Sequence, residues 1–72
     1  MLIFLKTLNG STLSIKYEST DSIRDIKMHV FVKYDIPVDS QNVIIMGKLA
    51  PDDSLFESYE PRQLETIHLI VR

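Results

Sequence analysis

The chain has no cysteine and no tryptophan, and only two glycines and three prolines among 72 residues. Without cysteine there are neither disulfide staples nor thiolate metal sites, a pattern that fits a reducing compartment. No apolar run approaches the roughly 18 residues of a membrane span. The opening MLIFLKTLNG is too short and too interrupted by polar residues for a signal peptide. Basic charge is not in excess either. Eight Lys and Arg against ten Asp and Glu give a net charge of −2, which argues against a broad nucleic-acid-binding surface. The expectation is a soluble chain, cytoplasmic and/or nuclear, with neither nucleic acid nor membrane as partner.

What is present is ordinary globular material, 44% hydrophobic and 25% charged. A length of 72 residues predicts one domain, 1–72, that buries only about 60% of its unfolded surface and has little room for an enzyme cleft. No repeat, linker or low-complexity tract interrupts it. The opening residues alternate, so Met1, Ile3 and Leu5 share an inward face while Leu2, Phe4 and Lys6 point outward. Asn9-Gly10 is a short hairpin signal, because both residues accept positive φ. Leu13, Ile15 and Tyr17 then rejoin the inward set, which predicts a β-hairpin over residues 1–17.

Ser22 followed by Asp25 is a weak capping box. Ile23, Ile26, Lys27, Val30 and Tyr34 recur at helical spacing and form one stripe. Pro37 disfavours helical geometry at Ile36, so the helix is predicted to end near Tyr34-Asp35, with Asp35 taking a left-handed conformation. Gln41 to Ile45 predicts a third strand, turned by Met46-Gly47. A proline-interrupted region follows, with Leu49, Leu55, Phe56 and Tyr59 as expected anchors. Thr66 to Val71 predicts a last strand with Ile67, Leu69 and Val71 inward. Hairpin, helix, strand, loop-rich segment and strand make an α+β domain with one helix packed across a mixed sheet.

No catalytic constellation emerges. Ser, His and Asp show no spacing suited to a triad, and Gly10 and Gly47 are isolated turn glycines rather than a phosphate cradle. Asp52-Asp53 reads as a solvated turn. Phe4 beside Lys6 could stack bases on a strand, but the acidic balance speaks against it. His29 and His68 are the two histidines, one on the helix and one on the last strand, so no metal site is expected and no cofactor. Alternation also turns Ile44, His68 and Ile70 toward solvent, and places Leu8 at the hairpin tip.

At this point the chain resembles ubiquitin and its relatives over its whole length. The matching positions are Met1, Ile3-Phe4, Lys6-Thr7-Leu8, Gly10, Thr12, Asp21, Ile23, Lys27, Ile36-Pro37, Asp39, Gln41, Ile44 and Gly47-Lys48. Asp52, Tyr59, Thr66, His68-Leu69 and Arg72 complete them. The resemblance implies the β-grasp (ubiquitin-like) fold, a four- to five-stranded mixed sheet on one α-helix, with the first and last strands adjacent and parallel. It also implies that Leu8, Ile44, His68 and Ile70 form one recognition patch, with Gly47 and Lys48 beside it, for small helical ubiquitin-binding domains and proteasomal receptors. Lys6, Lys48 and Arg72 would rim this patch and favour partners with acidic borders. An alternative account treats Ile44 and Ile70 as scattered surface apolars.

The chain departs from the family at several positions. Ala50 stands where a buried leucine is usual, Pro61 where isoleucine is, and Asp35 where the helix-ending glycine is. Phe56 and Leu49 would have to fill the space at Ala50, so the 46–61 segment is expected to differ locally. Asn42 replaces an arginine, which makes the rim less basic. Leu2 and Phe4, joined by Leu64, and Met28 and Val32 on the helix with Phe31 at its edge, are extra apolar clusters. They are either drift or a second contact surface, to further domains of a longer host protein or to a second copy in weak self-association.

Members attached to other proteins carry a Gly-Gly tail, and Arg72 resembles part of an activating-enzyme contact. Lys6, Lys27, Lys33 and Lys48 match linkage lysines, whereas Ser11, His29 and Gln63 stand at other such positions. The expectation is a non-catalytic interaction domain. The alternatives are a conjugatable modifier whose tail lies beyond this chain, and a homo-oligomeric structural module.

Overall fold

The computed structural model describes residues 1–61 and 67–72. Strands β1 (Leu2–Thr7) and β2 (Thr12–Lys16) form the antiparallel hairpin, with Ile3 opposite Ile15 and Leu5 opposite Leu13. Helix α1 (Ile23–Tyr34) follows, then β3 (Gln41–Ile45), β4 (Lys48–Leu49) and β5 (Ile67–Val71). The sheet order is β2-β1-β5-β3-β4, with β1 and β5 parallel and the other neighbours antiparallel. This is the five-stranded β-grasp arrangement. Thr66, expected to open the last strand, lies outside the described residues.

The core is built as alternation and helical spacing require. Ile3, Leu5, Leu13, Ile15 and Tyr17 from the hairpin meet Ile23, Ile26 and Val30 from α1, with Val43, Ile45, Ile67 and Leu69 from the other strands. Phe56 closes the far end, its ring edge-on to Tyr17 at 4.9 Å. Three expected inward residues behave differently. Met1 and Val71 are each 43% exposed, because they stand at strand ends that the helix does not cover. Leu49 is 61% exposed, and Ala50 takes the buried place instead, with its amide donating to the Val43 carbonyl at 2.9 Å. Leu49 therefore fills nothing beside Ala50. Leu55 is also exposed, whereas Phe56 and the partly buried Tyr59 do anchor the segment.

All four amides that α1 cannot satisfy internally are met from outside its first turn. Asp25 N–H bonds the Ser22 hydroxyl and Ser22 N–H bonds the Asp25 carboxylate, completing the capping box. Ile26 N–H bonds the Ser22 carbonyl at 3.1 Å. Ile23 and Arg24 donate to the carbonyls of Ser54 and Asp52. The 52–54 turn is thereby tied to the helix N-terminus, and a bridge between Ser22 and Leu55 continues the tie. Asp52 also accepts from the buried Lys27 ammonium at 2.5 Å. At the other end, Asp35 takes the left-handed conformation (φ 61°) and its amide bonds the Phe31 carbonyl, so the helix stops where Pro37 requires.

The last turn of α1 also guards the outer edge of β2. Ser14 N–H donates to the Tyr34 phenol at 2.9 Å, and the Ser14 carbonyl accepts from Lys33 and Tyr34. The Ser14 amide bond, ahead of the nearby Lys33 charge, holds the Tyr34 phenol below its ordinary value. Unpaired edge groups invite another strand, and here helix side chains occupy those of Ser14.

Ser22→Ala should cost about 1 kcal/mol by chemical denaturation, the usual worth of such a cap. Asp21 gives a pH prediction. Burial alone would raise its carboxyl, but the Glu18 amide and the His29 ring at 2.8 Å outweigh that and hold it low. A depressed folded value contributes stability that is complete above the unfolded value of about 3.9 and is lost as pH falls through the folded one. Urea midpoints between pH 2 and 5 should therefore fall less steeply for Asp21→Asn than for the wild type.

Candidate protein-interaction surface

Helix α1 covers one face of the sheet and leaves the other open. On that open face, strand pairing lines up Lys6, His68, Ile44 and Leu49, one each from β1, β5, β3 and β4. Strands lie about 4.8 Å apart, so the row spans roughly 14 Å. Ile70 follows His68 on the same face opposite Asn42, which makes it the diagonal neighbour of Ile44 at about 7–8 Å. Ile44 and Ile70 are half-buried, because each is flanked by strands on both sides, while His68 is exposed. Thr7 pairs with Leu69, so the turn beyond it carries Leu8 to the level of Ile70, and Leu8 is 80% exposed.

The turn holding Leu8 is not the one the sequence suggests. Gly10 alone has positive φ (87°); its amide bonds the Thr7 carbonyl and Thr7 N–H bonds Ser11. Leu8 and Asn9 are the middle of an ordinary turn closed by a left-handed glycine, a three-residue hairpin loop. Asn9 contributes through its carboxamide, which accepts from the Ser11 amide and the Thr7 hydroxyl. The two-residue hairpin with positive φ throughout lies at Met46 (φ 55°) and Gly47 (φ 79°), between the paired Ile45 and Lys48. That tight return is what sets Leu49 beside Ile44.

Charge within the strands has one sign. The described strands contain Lys6, Lys16 and Lys48 and no Asp or Glu, although acids outnumber bases in the chain. Among the described residues, no carboxylate pairs with Lys6, Lys48 or Arg72. Arg72 is tied down by backbone instead: its amide donates to the Ser40 carbonyl and its guanidinium to that of Asp39. His29 is held apart on the helix by Asp21. Around the corner, Leu8 borders a cleft of about 410 Å³ with Ile36, Leu69 and Val71. Sequence reasoning missed that cleft because alternation gives the side of Val71 but not that it stands 43% exposed at a strand end.

The additional clusters are exposed too. Leu2 and Phe4 are over half exposed on the open face, opposite Lys16 and Ser14. Met28, Phe31 and Val32 are exposed on the outer side of α1. Leu64, expected beside Leu2, lies outside the described residues.

Fold and surface define a β-grasp domain with one uncovered, apolar-and-basic sheet face. The chain belongs to the ubiquitin family, whose sequence profile matches residues 3–72. It is similar to the ubiquitin-like protein NEDD8 of Dictyostelium discoideum, 37% identical over 71 residues that cover 99% of this chain and 92% of that protein. The NEDD8-like protein RUB3 of Arabidopsis thaliana is 32% identical over 99% of this chain and 91% of its own length. The ubiquitin domain-containing protein DSK2b of Arabidopsis thaliana is 27% identical over 92% of this chain, which spans 12% of it.

The hairpin that positions Leu49 gives a direct test. A Cβ at Gly47 would meet nothing within 4 Å, so Gly47→Ala should lose only the conformational cost of left-handed backbone, about 1 kcal/mol. Met46→Asn should instead raise the melting temperature, because asparagine tolerates that backbone. Thermal denaturation reads both.

Proposed function

We propose that this chain works without catalysis, as a docking module whose open sheet face engages helical ubiquitin-binding domains or proteasomal receptors. The observation that carries this reading is the gathering of Ile44, His68 and Ile70 on one face, with Leu8 at its edge. Lysines border that face and no strand carboxylate does. An apolar patch bordered by polar groups is a default interaction site. The buried area available on such a small face returns a modest gain at roughly 25 cal/mol per Å², against several kcal/mol for association. Weak, reversible binding follows. Partners with acidic borders are favoured by Lys6, Lys48 and Arg72.

A second reading, a conjugatable modifier, is supported by the likeness to two NEDD8-type proteins along nearly the whole of each. In that reading Arg72 contributes to activating-enzyme recognition, and the same open face serves the attached protein.

Titration with a panel of ubiquitin-binding domains, followed by NMR shifts, should move Ile44, His68 and Ile70 first. Ile44→Ala should weaken binding about five- to tenfold, in line with the methyl groups removed from a half-buried contact. Equal binding by both proteins would overturn the docking reading. Incubation of the protein, with its reading frame beyond Arg72, with ATP and ubiquitin-like activating enzymes tests the second. A thioester establishes the modifier, and its absence removes that reading.

A further inference from the structure

Leu49 is the residue whose observed position departs most from the sequence expectation, and the departure enlarges the docking face. The Met46-Gly47 turn pairs Ile45 with Lys48, so Leu49 falls opposite Ile44 on the open side and is 61% exposed. An apolar strip therefore runs obliquely from Ile70 through Ile44 to Leu49, and Met46, 77% exposed, extends it at the turn. From Ile70 to Leu49 the strip covers two strand spacings and one residue pair, roughly 12 Å in all. Residues i and i+7 of a helix stand about 10.5 Å apart along its axis, with i+4 between them.

Strand addition does not suit this edge. Strand β4 has two residues, too few to template another strand, and β3 is already paired on both sides. A helix lying across the face needs no free backbone groups. The charge pattern selects its flanks: the strands offer lysines and no acid, and the chain's described acids sit in α1 and the connecting segments.

On these grounds, and resting on the docking reading above, we propose that Leu49 is a specificity-determining residue of this face. Its partner is an amphipathic helix with acidic flanks and three apolar anchors, placed on Ile70, Ile44 and Leu49. A helix with only the first two anchors leaves Leu49 uncovered and binds less tightly.

The test uses two synthetic helical peptides with acidic flanks. One carries leucines at i, i+4 and i+7, and the other has glutamine at the anchor meant for Leu49. Calorimetry or NMR titration measures both against wild type, Leu49→Gln and Ile44→Ala, with circular dichroism to verify folding. The wild type should prefer the three-anchor peptide about tenfold, equivalent to ~1.4 kcal/mol. Leu49→Gln should bring that preference to about one while leaving the two-anchor affinity nearly unchanged, and Ile44→Ala should weaken both peptides. A tenfold preference that survives Leu49→Gln overturns the role of Leu49 alone. Indifference of both peptides to Ile44→Ala overturns the docking reading beneath it.

Discussion

One twelve-residue helix can cover one face of a five-stranded sheet and no more. The make-up of the open face depends on that constraint. The covered face takes the aliphatic set of Ile3, Leu5, Ile15, Val43, Ile45, Ile67 and Leu69, and alternation obliges the intervening residues to meet water. Because β1 and β5 lie side by side in the middle of the sheet, residues distant in sequence meet in one row. Lys6 from the first strand and Ile44 from the third flank His68 from the last. A patch built this way rests on five hydrogen-bonded strands, which hold its side chains in one arrangement.

The helix is held in place largely from its N-terminus. Ser22, Asp25 and the carbonyls of Asp52 and Ser54 satisfy every amide that the first turn leaves open. Lys27 reaches the same turn through Asp52, so the 52–56 segment is fastened by polar contacts as well as by Phe56. With alanine at position 50 the aliphatic contribution there is small. Hydrogen bonds to the helix terminus take a share of the work that side-chain volume would otherwise do.

Much of this was legible in the sequence. The hairpin faces, the capping box, the left-handed Asp35 and the bounds of β3 all follow from local rules acting in the same direction. The outward set of Ile44, His68 and Ile70 follows from parity alone. The failures share a cause: alternation assigns a side but not a depth. Met1 and Val71 stand on the expected side yet at strand ends beyond the helix. Leu49 was misjudged because a two-residue strand has no periodicity to read. The signal that could have found it was the turn, since a two-residue loop at Met46-Gly47 mirrors Ile45 onto Lys48 and Ile44 onto Leu49. Turn chemistry itself was exchanged between the hairpins. Asn9-Gly10 carries the favoured dipeptide but closes a three-residue loop, while Met46, a poor residue for left-handed backbone, adopts it. The Ser14 contacts with Lys33 and Tyr34 bring together groups some twenty residues apart, which no local pattern announces.

Those last contacts bear on how the protein behaves when crowded. Its surface displays bare leucine, methionine and phenylalanine. Adhesion becomes fibril growth only when a ribbon margin offers a template for the next chain. Here one margin is two residues long and the other is held at Ser14 by a phenol and an ammonium. A second chain adding edge to edge would meet a two-residue strand on one side and, on the other, would first have to displace those groups from Ser14.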